Sequence, residues 1–258
     1  AFLGRPDHTD QDAIETVHRA IEQGINFLDT SPAYGESERR VGLGLAEGYR
    51  AHIYIETKVG THPLRHRDYS ADATRWSVEN SIKLLKTDYL DSVLIHDPLD
   101  IEDPLAPGRC LDTLLKMKEE KIIGFVGLGV RSHAFHQRFI ETGLCDISLS
   151  YLDYTLLNQS AAKTVMPLTA KHDVGLILAS ILGCSGGALT GREPQGDPRA
   201  HAMWSWCNEH SVDIRHLAIQ FCLAAPINGI IMPGPGTREH LEDCYRLTTT
   251  EVDPAIWR

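Results

Sequence analysis

Short apolar runs recur along the chain, and a stretch with helical spacing follows each of them. The runs cover 24–30, 52–58, 92–96, 122–128, 146–151, 175–180 and 229–232. They are rich in Ile, Val and Leu and bounded by Gly, Asp or Pro, the pattern of strands buried on both faces. Between them, 10–23 sets Ile14, Val17 and Ile21 on one helical face, with Gly24 as a stop. The spacing predicts further helices over 72–85, 107–120, 201–207 and 216–224. About seven β-α units in series, without hairpin signals, imply a parallel sheet. A doubly wound dinucleotide fold should open with a strand and G-x-G-x-x-G. Neither of the first two strands is followed by that motif, so an α/β (β/α)8 TIM barrel is preferred, as one domain over 1–258. One strand is then missing, and residues 1–4 read as the tail of strand one.

Composition narrows the class. Hydrophobic residues make up 42% of the 258, enough for a sizeable core. The formal net charge is -10 and no basic run occurs, which argues against a nucleic-acid partner. The six cysteines are scattered with no C-x-x-C, so they read as reduced thiols of a cytoplasmic protein. No apolar run approaches the roughly 20 residues of a membrane-spanning helix.

In a barrel of this kind, polar residues at the carboxyl ends of strands line the active site. Asp29 ends one strand, with Tyr34 in the loop beyond it. Lys58 ends the next and His96 the one after. A phenol titrates near pH 10, too high to trade protons readily at neutrality. An adjacent ammonium should favour the phenolate, and a carboxylate should keep that ammonium charged. An imidazole beside them can hydrogen-bond a carbonyl oxygen. Taken singly, each has an ordinary reading: a turn-forming Asp, a packed Tyr, a solvated Lys, a hydrogen-bonded His. Their succession on consecutive strand ends favours carbonyl chemistry. The pairs His62 and His66, and His133 and His136, have helical zinc spacing, but they read as loop histidines and no metal site is expected. The run from Gly183 through Cys184, Ser185 and Gly186 to Gly187 lacks the Lys-Ser/Thr of a P-loop. It reads as backbone able to approach a diphosphate. Trp204 and Trp206 read as core, rim or oligomer contacts.

At these residues the sequence resembles the aldo-keto reductases. The stretch from Gly24 to Gly35 is similar to that family's most specific motif, and Ser37, Glu38, Val41, Gly42 and Leu45 continue it. Glu56-Thr57-Lys58 and the run from Asp91 to His96 resemble the next two blocks. Pro233 and Gly234, with Thr237, Glu239, Leu241 and Glu242, resemble the loop that holds the cofactor. The resemblance implies a barrel binding NAD(P)H across its mouth. It implies Tyr34 as general acid/base, Lys58 lowering its pKa, Asp29 paired with Lys58, and His96 orienting the substrate carbonyl. It implies cofactor contacts from Gly234, Pro235, Gly236, Thr237, Arg238, His240, Glu242 and Ser180. Departures are present. Gly129-Val130 stands where the family often has Ser-Asn, Tyr151 or Asp153 lies near its usual Gln, Ser180 near its stacking aromatic, and Cys244 in place of an Asn. Against the family pattern, the N-terminal hairpin and most of strand one are absent.

Gly127 to Val130 and Tyr154 to Gln159 resemble the bacterial aldose dehydrogenases of the family (the L-fucose, D-threo-aldose and galactose type). Those oxidise the anomeric carbon of free sugars. Asp97, Arg131 and Trp204, with His62, are candidate sugar contacts. Gly234 and His240 occupy positions where Lys and Arg would grip a 2′-phosphate, so NAD is expected to serve at least as well as NADP. Two further readings stay open: a cofactor-binding regulatory or accessory subunit on the same fold, and a metal-dependent barrel hydrolase.

Overall fold

A computed structural model describes residues 2–183 and 187–257. Strands alternate with helices in the order α1 (Asp10–Glu22), β1 (Phe27–Asp29), α2 (Ser37–Gly44), β2 (Tyr54–Val59), α3 (Ala71–Leu85), β3 (Leu90–His96), α4 (Glu102–Leu105), α5 (Cys110–Glu119) and β4 (Ile123–Gly129). They continue with α6 (His133–Ile140), β5 (Ile147–Tyr151), α7 (Val165–His172), β6 (Gly175–Ala179), α8 (Pro198–Glu209), α9 (Ile214–Leu223), β7 (Gly229–Met232) and α10 (Arg238–Thr249). Hydrogen-bonded neighbours follow chain order from β1 to β7. Two compact units are present, one running to Ser148 and including Pro235–Leu241, the other covering Leu149–Gly234 and Glu242 onward.

The first unit pairs β1, β2, β3 and β4 in parallel register. Its core comes from the near-continuous apolar centres of the strands, with Ile55, Val59, Val93, Leu94, Ile95, Val126 and Leu128 all buried. Helices cover them through residues such as Val41, Val78, Leu114 and Met117. Two of these helices, α1 and α3, start on side-chain caps. Thr9 and Asp12 form a reciprocal capping box on α1, and the Ser70 side chain accepts from Ala73 N on α3. In the second unit β6 and β7 pair in parallel. Val165, Met166, Leu176, Leu178, Ile219 and Leu247 form one apolar cluster there, and Leu189, Cys207, Ile214, Leu217 and Ala218 another.

The N-terminal expectation is corrected. Phe2–Gly4 form a 3-10 turn, not the tail of a strand. The reason is a buried guanidinium on α2. Arg40 Nη1 donates to the carbonyls of Leu3 (2.6 Å) and Arg5 (2.8 Å), and Nη2 donates to His8 O (2.6 Å). Gly4 then lies so close to the loop that a Cβ on it would overlap the Tyr34 carbonyl. Arg40→Met should remove the guanidinium donors from these carbonyls, leaving Arg5 O only its bond from His8 N, and destabilise the protein by about 2 kcal/mol. A urea midpoint equal to that of the unaltered protein would show that the clamp contributes nothing.

Candidate active site

The carboxyl ends of β1, β2 and β3 bring the expected residues together within the first unit. Side chains at alternate positions share a strand face, so register sets their rows. Asp29, Glu56 and Ser92 are register partners across three strands, and Lys58 pairs with Leu94 in the row above. His96 pairs with Gly129 on β4. The Lys58 ammonium is 1% exposed and binds Asp29 Oδ1 and the Thr30 carbonyl, the latter at 2.8 Å. It stands 5.1 Å from the centre of the Tyr34 ring. The Tyr34 and His96 rings meet edge-on, 6.0 Å apart at 90°.

The turn carrying Tyr34 is built by local hydrogen bonds. Thr30 N donates to Glu56 O, Tyr34 N to Ser31 O, and Ser37 N to Tyr34 O. The Thr30 hydroxyl donates to the Ser37 hydroxyl at 2.9 Å, tying the end of β1 to the start of α2. Beneath the same turn, Glu38 is buried and accepts from Thr57 Oγ1 at 2.6 Å. Burial holds its carboxyl above the usual range.

His96 is fixed from two sides. Thr61 Oγ1 lies 2.7 Å and Ser31 Oγ 3.4 Å from Nδ1. Its carbonyl accepts from the Tyr69 hydroxyl at 2.6 Å. Gly60 makes that possible, because it has a positive φ of 93° and a Cβ there would overlap the Tyr69 ring. With Thr61 donating to Nδ1, the proton of the neutral imidazole sits on Nε2. Asp97 Oδ2 lies 3.6 Å from that nitrogen. Asp97 itself adopts φ 41°, a conformation that costs a non-glycine residue energy and recurs at functional sites.

Burial, then the Lys58 charge, pushes the His96 imidazole down to about 3. The unfolded chain therefore takes up a proton that the folded chain refuses between its ordinary value of 6.5 and about 3. Stability is complete above that window and falls on acidification, by up to about 1.4 kcal/mol per pH unit. His96→Gln should flatten this acid dependence in urea unfolding between about pH 7 and about pH 5. Parallel curves for the two proteins would refute the assignment.

Lys58 pulls the Tyr34 phenol downward, as expected, but it does not act alone. The net direction for the Tyr34 phenol is upward, because burial outweighs the lowering by Lys58, and Asp29 and Asp97 add to the rise. The ammonium moderates the phenol without bringing it below its ordinary value.

The other candidates lie as follows. Arg131 follows β4 and is exposed. Pro235, Gly236, Thr237, Arg238 and His240 belong to the unit that holds Tyr34 and Lys58, while Gly234, Glu242 and Ser180 belong to the other. Trp204 lies on α8 in that other unit, where its indole N–H donates to Gly191 O at 3.2 Å and its ring packs on an apolar cluster. Cys184, Ser185 and Gly186 lie outside the described residues. His62 accepts from Leu64 N and packs edge-on against Trp76, and His136 joins Val130 O to Ser148 Oγ. Sequence reasoning missed Ser31, Thr61, Tyr69 and the role of Glu56. Their only sequence signals are nearness to a strand end and a lone acid inside an apolar strand.

The aldo/keto reductase family aligns with residues 3–256. The chain belongs to that family. It is 30% identical to the L-galactose dehydrogenase of Arabidopsis thaliana, over 91% of this chain and 77% of that one. It is 25% identical to a D-threo-aldose 1-dehydrogenase of a Pseudomonas species, over 96% and 87%. An aldo-keto reductase from Bacillus halodurans, in its holo form, has the same fold, with a TM-score of 0.81 at 22% identity over 96% of this chain and 85% of that one. The protein is thus an oxidoreductase of the aldo-keto reductase family, whose members use NAD(P)H. Its seven parallel strands in chain order are consistent with the family's (β/α)8 barrel. Among the described residues, no helix is long and apolar enough to cross a membrane.

The residues of this aldo-keto reductase fit such a cofactor. Thr237 Oγ1 accepts from His240 N at 3.1 Å and so caps α10, a helix of 12 residues. The amino end of a helix favours anionic groups. Gly234 turns the chain into this loop with φ 71°. On β4, Gly129 lies beside both groups: a Cβ there would sit in ordinary contact, 3.8 Å from Lys58 Cε and 3.9 Å from His96 Cδ2.

Proposed function

We propose that this aldo-keto reductase moves hydride between a nicotinamide and the anomeric carbon of a free aldose, or a similar small carbonyl, with Tyr34 as proton carrier. The observation that carries the reading is the buried Lys58 ammonium, held by Asp29 and facing the Tyr34 ring at 5.1 Å. The named sugar dehydrogenases among its relatives support the substrate class. The reading includes a fold of the (β/α)8 class as one domain over 1–258.

The chemistry of the chain's own groups follows from their positions. Tyr34 Oη gives its proton to the carbonyl oxygen in reduction and takes one from the hydroxyl in oxidation. Lys58 stabilises the phenolate left behind, and Asp29 keeps Lys58 charged. His96, neutral and fixed through Nδ1, offers Nε2–H to the same substrate oxygen and orients it. When bound, the nicotinamide supplies or accepts the hydride. Thr237, with Pro235, Gly236, Arg238 and His240 in the unit of Tyr34, would hold the cofactor, and Gly234, Glu242 and Ser180 are further candidates by resemblance alone. Asp97 and Arg131 stand beside His96 and at the end of β4, where sugar hydroxyls would meet them. Trp204 is a weaker candidate, because its indole N–H is already engaged. The loop's lack of a Lys at Gly234 supports use of NAD at least as well as NADP.

The test is to follow reduced nicotinamide by absorbance with NAD+ or NADP+ across a panel of free aldoses, and with aldehydes in reverse. Sugar-dependent reduction of the cofactor supports the reading. A strong preference for NADPH would overturn the cofactor assignment. Tight cofactor binding without turnover in either direction would put the accessory-subunit reading first, which the departures at Gly129 and Ser180 favour.

A further inference from the structure

Glu56 is the one carboxylate in the Asp29, Glu56, Ser92 row that the chemistry above leaves unused. It is fully buried, two residues before Lys58 on the same strand face. Oε2 accepts from Ser92 Oγ at 2.9 Å. Oε1 is buried and has no hydrogen-bond donor. An ionised carboxylate oxygen in that position is costly. A proton resolves it, because a neutral carboxyl becomes a donor and its register partner Asp29 is an acceptor. Like charges sharing one buried site do not both ionise readily.

We infer that Glu56 is a positioning residue that carries a proton and donates it toward Asp29, so that Lys58 faces a single negative charge and stays free to stabilise the Tyr34 phenolate. The inference rests on Tyr34 as proton carrier only for its kinetic consequence. Its site is defined by the groups facing Glu56. These are Asp29 from β1, Lys58 on its own strand and the neutral Ser92 from β3. Glu38, on α2, lies across the strand against Thr57. Burial and the Asp29 charge both push the Glu56 carboxyl upward, while Lys58 and Ser92 pull it down, and the upward pull prevails. No bond other than the shared proton changes. Loss of that proton at alkaline pH adds a charge beside Lys58 and weakens its hold on the phenolate.

Infrared spectroscopy of the full chain reads the proton directly. At neutral pH a deuterium-sensitive band of a buried protonated carboxyl is expected, and Glu56→Gln should remove it. Glu38→Gln serves as the control, since it leaves the Glu56 proton in place. An unchanged spectrum in Glu56→Gln would overturn the inference, whether or not any sugar is turned over. The second readout is the pH profile of sugar oxidation. The Glu56→Gln profile should keep climbing where that of the unaltered protein flattens, with a gap of about tenfold at the alkaline end. Superimposable normalised profiles would overturn the positioning role. Absence of turnover in both proteins would count against the proposed function and leave the infrared result to decide the proton.

Discussion

Replacing Tyr34 by phenylalanine is expected to lower turnover by about 10²–10⁴-fold, the usual contribution of a positioned proton carrier. The substitution removes one oxygen and keeps the ring, so the edge-on contact with His96 survives. Folding should therefore be little altered, and cofactor binding, followed by quenching of protein fluorescence, should persist. Because burial holds the phenol above its ordinary value, it rests protonated at neutral pH. Oxidation needs the phenolate, so its rate should climb with pH through the alkaline range. Reduction uses the protonated phenol and should not climb with it. A Tyr34→Phe protein that keeps a tenth or more of its turnover would remove Tyr34 from the chemistry.

Loss of Lys58 should cost both stability and turnover. Lys58→Met keeps the length of the side chain and removes the ammonium from a fully buried position. Asp29 and the Thr30 carbonyl then lose their donor. Breaking a buried pair on one side typically destabilises by about 3–5 kcal/mol. The double variant Asp29→Asn with Lys58→Met removes both charges and should recover much of that loss without recovering activity. Comparing the two by urea unfolding separates the charge pair from the packing of the side chain. A single variant as stable as the unaltered protein would show that water, not Lys58, solvates Asp29.

How far the sequence reading reached depends on the range of the forces involved. The strands from β2 to β6 were legible because a largely buried strand imposes an apolar run that no helix of that length shares, and the short apolar run of β7 was read the same way although it is half-exposed. β1 came out shorter than its apolar run. After α1, Ile25 N bonds back to Ala20 O, and only Phe27–Asp29 pair with β2. α2 escaped notice because Ser37, Glu38, Arg39 and Arg40 look like solvent-facing polarity, yet Ser37, Glu38 and Arg40 are buried and bonded. The strand-end residues Asp29, Lys58 and His96 were legible because barrel topology gives strand ends a meaning. Thr61 and Tyr69 were not, since their bonds to His96 reach across 35 and 27 positions of chain. The net direction of the Tyr34 phenol was missed for another reason. Proximity to a lysine is readable from the order of strands, while the depth of burial that overrules it is a property of the folded chain.

The turn at Phe2–Gly4 bears directly on the loop that carries the phenol. Gly4 O accepts from Glu36 N, and Arg40 holds the carbonyls on either side of that turn. The loop carrying Tyr34 is thereby held from outside the sheet as well as by the strand before it. A substitution that loosens this turn would therefore reach the loop of the phenol without altering any strand.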